Sequence, residues 1–374
     1  MSAALQLVVL DVQVGAALES QSGLQMLRPR IYGALAMPPQ RSRVAAIVMH
    51  PASNFMGHYL LAPLAARGVA CLGLNSRYMG NDTVLLMERV IQDLGAGVKH
   101  LRGLGFERVL LVGNSGGAAL ASFYQAQAEE LTAHALVDGD PSGLRASDLP
   151  AIDGIVLCAA HEGRAKLFLD WVDPAVIDEA DPLVTDATLD LYGVSNVPPY
   201  SSDFLQRFRT AQRARRDRIE AWVWTRLQQL RSTPGAPRDQ AFIVHRLHAD
   251  PRCLDLRIDA NDRALGSVWG DPRAVNSAAN AMGRTTSLTA FLSQWSSRSQ
   301  ADGPANLART SVPVLLLNHT ADQSTFPSTT RAWQAAGGER LRSVDLRGGN
   351  HYLSGQGELV AQAADEIAAF AESL

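Results

Sequence analysis

Val109-Leu110-Leu111-Val112-Gly113-Asn114-Ser115-Gly116-Gly117-Ala118-Ala119-Leu120-Ala121 is the stretch on which the reading of this chain turns. Residues 109–112 are a short apolar run of the kind that forms a buried strand, and residues 118–130 favour a helix. Between them, Gly113-x-Ser115-x-Gly117 has the order strand, sharp turn, helix in which a serine serves as a nucleophile. Such an elbow forces the serine into a strained backbone conformation, and side chains at Gly113 and Gly117 would strike the neighbouring strand and helix. The serine oxygen then stands at the positive end of a helix, where developing negative charge is stabilised. The competing reading is a nucleotide-binding strand–turn–helix or an ordinary loop. A phosphate loop needs a lysine that this turn lacks.

Working outward, residues 44–50 and 155–160 are continuous apolar runs, as expected of strands buried on both faces. Residues 59–67 read as a helix and 69–74 as a strand. Residues 82–104 read as a long helix that Asp82 can cap, with Val84, Met87, Val90, Ile91, Leu94 and Val98 at helical spacing. At the start of the chain, residues 5–14 and 24–36 predict an antiparallel strand pair, with a turn near residues 20–23. Alternating strands and helices imply a parallel, doubly wound α/β sheet.

The alternation stops at Glu162 and resumes at Val312. The intervening residues read as mostly helical and loop-rich. In residues 202–230, Phe204, Phe208, Ala211, Ile219, Trp222, Val223, Leu227 and Leu230 form one face, while Arg207, Arg209, Arg213, Arg216 and Glu220 lie largely elsewhere. A solvated face is the simpler reading of those arginines. After residues 312–317 come a helix containing residues 329–336, a strand at 340–346, a Gly-Gly-Asn-His loop at 348–351 and a closing amphipathic helix at 358–374.

Composition bounds the answer. With 374 residues, 47% hydrophobic and 19% charged, the chain is globular and builds a sizeable core. A net charge of -3, with scattered arginines and lysine only at Lys99 and Lys166, provides no basic face for nucleic acid. Cys71, Cys158 and Cys253 are odd in number and widely spaced, which predicts reduced thiols and a cytoplasmic protein. Residues 1–15 have no basic start and carry Asp11 within an apolar run, so no signal peptide is expected. No stretch approaches the ~18 apolar residues of a membrane span.

A serine hydroxyl needs a general base, usually histidine, held by a third group, usually a carboxylate. His351, in the loop after the last predicted strand, is the candidate base. Asp322, in the loop after the strand ending at Leu317, is the candidate acid, because catalytic groups gather at carboxyl strand ends. Glu162 is the alternative acid. An oxyanion hole needs two donors. Gly116, directly after the serine, supplies one; the other comes from the His50-Pro51-Ala52-Ser53-Asn54 loop. Pro51 has no N–H, which leaves Ala52 first and Ser53 second. His50 reads as a residue that orients this loop.

These motifs, in this order, resemble the α/β-hydrolase superfamily of serine hydrolases: His50-Pro51 after the third strand, Gly113-x-Ser115-x-Gly117, Asp322 and His351. The resemblance covers residues 44–161 and 312–374. It implies an α/β-hydrolase core at 1–161 and 312–374, with a mostly parallel sheet and a largely helical cap at 162–311. It also implies acyl transfer to water through an acyl-serine intermediate, with no cofactor and no metal. One departure is that the family's common His-Gly is His50-Pro51 here, which leaves the second oxyanion donor open. Trp171, Trp222, Trp224 and Trp269 fall in the cap region, which suggests a pocket for a small, fairly apolar ester. C–C bond hydrolase, lactonase, amidase and acyltransferase chemistry use the same triad; a non-catalytic ligand-binding member of the fold and a scaffold acting through the arginine-rich helix are the readings from other classes. The expected partner is a small molecule rather than nucleic acid or membrane, and the oligomeric state is open. His245, His248 and Asp250 lack a complete metal-ligand spacing, and Asp255, Asp259, Asn261 and Asp262 resemble a calcium loop only in composition.

Overall fold

In the computed structural model, residues 5–13 and 29–374 are described. The first half of the chain contributes β1 (Leu5–Asp11), β2 (Arg30–Ala36), β3 (Val44–His50), α1 (Leu61–Ala65), β4 (Ala70–Asn75), α2 (Met87–Gly103), β5 (Arg108–Asn114), α3 (Gly117–Glu129) and β6 (Gly154–Cys158). Then come α4 (Arg164–Trp171), α5 (Ser202–Ser232), β7 (Ala241–Ile243), α6 (Pro272–Ser277), β8 (Thr285–Ser287), α7 (Leu288–Gln294) and α8 (Gly303–Leu307). The chain closes with β9 (Val314–His319), α9 (Pro327–Gly337), β10 (Leu341–Leu346) and α10 (Gly357–Glu372).

Eight strands form one sheet in the order β1-β2-β4-β3-β5-β6-β9-β10. β1 and β2 are antiparallel, with Leu5 opposite Ala36, as the sequence predicts. The turn expected near residues 20–23, with the flanking residues 14 and 24–28, lies outside the described residues. β2 also runs antiparallel to β4, and every pairing beyond it is parallel. Period-2 alternation splits the central strands between two cores. Ile47, Leu72, Leu111, Leu157 and Leu316 face α2 and α3. Val48, Cys71, Val112, Val156 and Leu317 face α1 and α10. This strand order with helices on both faces is the α/β-hydrolase fold.

The structure shifts several expected boundaries. The long helix starts at Met87 rather than Asp82, and its first turn has no side-chain cap. Asp82 instead accepts from the buried Arg164 guanidinium at 3.0 Å, a charge that would be costly to leave without a carboxylate. The helix expected over residues 59–67 is the single turn α1. β6 ends at Cys158, because Ala159 takes a left-handed φ of 43° and leaves the sheet.

Between β6 and β9 no described strand joins the main sheet; β7 and β8 form a separate ribbon. α5 is capped by Ser201, whose hydroxyl accepts the Phe204 N–H. Its buried stripe holds Gln212 and Arg215, where Ala211 and Trp222 were expected, and Trp222 is 45% exposed. The polar pair buries because it satisfies otherwise orphaned groups. Gln212 donates to the carbonyls of Asp170, Val172 and Ala249, and Arg215 pairs with Glu179 and the Asp173 carbonyl. Phe168, Val223, Leu227, Phe291 and Trp295 complete that core.

The elbow sits where β5, α3 and β3 come closest. A Cβ on Gly117 would run into the Met49 carbonyl, and one on Gly113 into the backbone of Ala118. Gly113→Ala and Gly117→Ala are each expected to lower the unfolding free energy by roughly 1–3 kcal/mol, the cost of overpacking a close backbone contact. Gly103→Ala, at the open end of α2, leaves it unchanged or slightly higher. Urea unfolding of the three variants checks the difference.

Candidate active site

Ser115 occupies the turn between β5 and α3 with φ 58°, a left-handed backbone for a residue that has a side chain. Its N–H donates to the Cys158 carbonyl at 2.9 Å, and its carbonyl accepts from the N–H groups of Ala118 and His161. Three backbone hydrogen bonds thus hold a conformation that the residue alone disfavours. The next residue, Gly116, is the N-cap of α3, so its N–H lies among the unpaired donors at a helix start.

His351 comes from the loop after β10, and Asp322 from the turn after β9. The structure brings both to Ser115. His351 Nε2 lies 3.0 Å from Ser115 Oγ, and His351 Nδ1 lies 2.7 Å from Asp322 Oδ2. An ionised carboxylate only accepts, so the proton of the neutral ring sits on Nδ1 and Nε2 is free to accept from the serine hydroxyl. Asp322 is fully buried. Its Oδ1 takes the N–H groups of Ser324 and Thr325, and its Oδ2 takes the Thr325 hydroxyl. Burial pushes this carboxyl up, but the His351 ring and the Thr325 hydroxyl prevail and hold it well below 3.8.

Glu162, the alternative acid, is elsewhere. It takes the Thr329 hydroxyl at 3.3 Å and makes no hydrogen bond to His351. The oxyanion loop also departs from expectation. Ala52 and Ser53, the two proposed donors, both direct their N–H groups at His50 Nδ1, at 3.1 and 3.0 Å. His50 orients this loop by accepting those amides, and in doing so it takes the donors that the sequence assigned to the hole.

His161 is a residue the sequence did not single out. Its ring lies 5.4 Å from that of His351, and its Nε2 lies 3.1 Å from the Ser324 hydroxyl. Burial first, and the nearby His351 second, hold its pKa down to about 3, so it stays neutral. Only its position after β6 distinguishes it in the sequence.

A cavity of about 660 Å³ opens on Ser115, lined by His50, Ser53, Phe55, Tyr59, Tyr352 and Leu353 among others. No tryptophan lines it, contrary to the tryptophan-walled pocket suggested by the sequence. Trp295 packs against Phe168, and Trp171 and Trp269 pack on each other and on His248. The acidic residues weighed as metal ligands are paired instead: Asp250 with Arg252 and Arg209, Asp255 with Arg257, and Asp259 with Ser328. Among the described residues, no group of three or more metal-ligating side chains comes together, and no helix is long and apolar enough to cross a membrane.

No protein-family model and no curated protein sequence matches this chain. Solved structures do. The structure of DcsB in complex with its substrate analogue is 12% identical, covers 99% of both chains and superposes with a TM-score of 0.50. The esterase domain of a Rhodothermus marinus protein is 13% identical over 98% of both chains, with a TM-score of 0.47. A proline iminopeptidase from Mycobacterium smegmatis is 16% identical over 98% of both, with a TM-score of 0.46. At these identities the likeness is one of fold. Sheet order and elbow together are those of the α/β-hydrolase fold.

Because the folded-state pKa of Asp322 lies below its unfolded value, its stabilisation is complete above the carboxylate range and disappears as pH falls. Wild type is therefore expected to exceed Asp322→Asn in unfolding free energy at roughly pH 5, with the gap closing toward roughly pH 2. Urea unfolding of both proteins across this range measures it. A gap that widens on acidification contradicts the reading.

Proposed function

We propose that this protein is a serine hydrolase that cleaves a carboxylic ester of a small molecule through an acyl-serine intermediate. The observation that carries this reading is the unbroken chain Asp322 Oδ2, His351 Nδ1, His351 Nε2, Ser115 Oγ, with both links at hydrogen-bond length. In this reaction His351 Nε2 takes the hydroxyl proton as Ser115 Oγ attacks the carbonyl carbon. Asp322 stabilises the imidazolium, and the Gly116 N–H at the start of α3 meets the developing oxyanion. His351 returns its proton to the departing alcohol oxygen, and the acyl group stays on Ser115. A water, deprotonated by the same imidazole, then releases the acid and regenerates the serine.

Residues 162–311 serve as a cap on the core formed by 1–161 and 312–374. The cavity beside Ser115 suits a compact substrate with a fairly apolar part, since Phe55, Leu353 and the rings of Tyr59 and Tyr352 offer apolar surface. His50 and Ser53 add polar contacts. Three free, buried cysteines favour a reducing, cytoplasmic setting.

A fluorophosphonate probe is expected to label the wild-type protein and not Ser115→Ala. Folded wild type that resists labelling overturns the assignment of Ser115. With p-nitrophenyl esters, Ser115→Ala is expected to lower kcat by roughly 10⁶ and Asp322→Asn by about 10⁴. Parallel assays on lactones, amides and C–C substrates decide which bond is cleaved best.

A further inference from the structure

We propose that the imidazole of His50 is itself the second oxyanion donor, offering its Nε2–H beside the backbone N–H of Gly116. This rests on the reading of Ser115 as nucleophile. Neither donor expected from the loop after β3 is free: Pro51 lacks an N–H, and Ala52 and Ser53 donate to His50 Nδ1. Those same two bonds fix the tautomer of the ring. A nitrogen that accepts two N–H groups carries a lone pair, so the proton of the neutral imidazole sits on Nε2. The ring is also neutral: burial first, then the Arg164 guanidinium and the neighbouring His161 and His351 rings, hold its pKa well below 6.5.

Nε2 is the ring atom that faces Gly116, the residue after Ser115. A Cβ built on Gly116 would lie 2.8 Å from His50 Nε2, 3.3 Å from Cδ2 and 3.8 Å from Cε1. The imidazole therefore fills the space that a side chain on the residue after the nucleophile would take. This explains the second glycine of Ser115-Gly116-Gly117, which the elbow pattern itself does not require. His50 Nε2 has no hydrogen-bond partner among the described residues, and His50 lines the same cavity as Ser115. The ring is held rigidly, with two amides on Nδ1 and the Phe55 ring at 5.6 Å. A fixed donor of this kind needs no reorganisation as the oxyanion forms.

Two substitutions separate donating to the oxyanion from holding the loop. His50→Asn places an amide oxygen near the Nδ1 position, keeping the acceptor for Ala52 and Ser53 and removing the distal donor. His50→Gln places an amide nitrogen near the Nε2 position and gives up the proximal acceptor. The expected result is that His50→Asn keeps its melting temperature and, within about threefold, its KM for a p-nitrophenyl ester, while kcat falls about 10²–10³-fold. Its affinity for phenylboronic acid, which forms a tetrahedral adduct on the serine, falls with kcat. His50→Gln is expected to lose melting temperature yet retain more kcat than His50→Asn. The proposal is overturned if His50→Asn keeps wild-type kcat and boronate affinity. It is equally overturned if both variants lose activity only in proportion to lost stability, since loop support alone then accounts for His50. Fluorophosphonate labelling of wild type distinguishes the two levels: a labelled wild type with an unaffected His50→Asn removes this proposal alone, whereas an unlabelled wild type removes the nucleophile as well.

Discussion

The left-handed backbone of Ser115 stores roughly 1–3 kcal/mol of strain, and much of the surrounding structure is arranged to hold it. β5 and α3 meet so closely that Gly113 and Gly117 have no room for side chains. β3 closes the other side through the Met49 carbonyl. β6 supplies the Cys158 carbonyl that anchors the Ser115 N–H, and the segment beyond β6 returns the His161 N–H to the Ser115 carbonyl. Three adjacent strands and one helix thus converge on a single residue. The same convergence places the start of α3 under the serine oxygen and sets Gly116 against His50.

Electrostatics then distinguishes one histidine from its neighbours. His50, His161 and His351 crowd the serine, and burial alone would make them similar. His50 gives its Nδ1 to two backbone amides, and His161 bonds only a serine hydroxyl. Of the three, only the His351 ring bonds a carboxylate, and against burial that carboxylate is kept ionised by the His351 ring itself and by the Thr325 hydroxyl. Only this ring has a partner that strengthens when the ring becomes positive. Burial keeps the other two neutral.

What the sequence disclosed followed from how local each signal is. The sheet strands show as apolar runs, and Ser115, Asp322 and His351 each lie in the turn or loop that follows one, so their order along the chain made them legible as a set. Asp82 was misread because its partner, Arg164, is 82 residues away, and a capping letter carries no sign of a distant guanidinium. Gln212 and Arg215 were missed because apolar periodicity does not register polar side chains that bury themselves on carbonyls. The direction of the Ala52 and Ser53 amides depends on the rotamer of His50, which no motif encodes. The tryptophans misled for a similar reason: their size predicts burial, and their partners are one another and the core of the inserted segment rather than the cavity.

That inserted segment touches the site from an unexpected side. The residues weighed as a calcium loop clasp the turn that carries Asp322. Asn261 donates to the Asp322 carbonyl at 2.9 Å, the Asp262 N–H donates to the Thr320 carbonyl at 2.9 Å, and Thr320 donates its hydroxyl to Asp262 at 2.6 Å. Gln323 returns a bond to the Ala264 carbonyl. Farther along, Trp171 stands edge-on to His161, which in turn packs on His351. The segment therefore braces the acid and the histidine, whereas the named walls of the cavity beside Ser115 come from the loops after β3 and β10. Residues 259–264 are thus tied to the Asp322 turn, and their packing bears on the 2.7 Å link between Asp322 and His351.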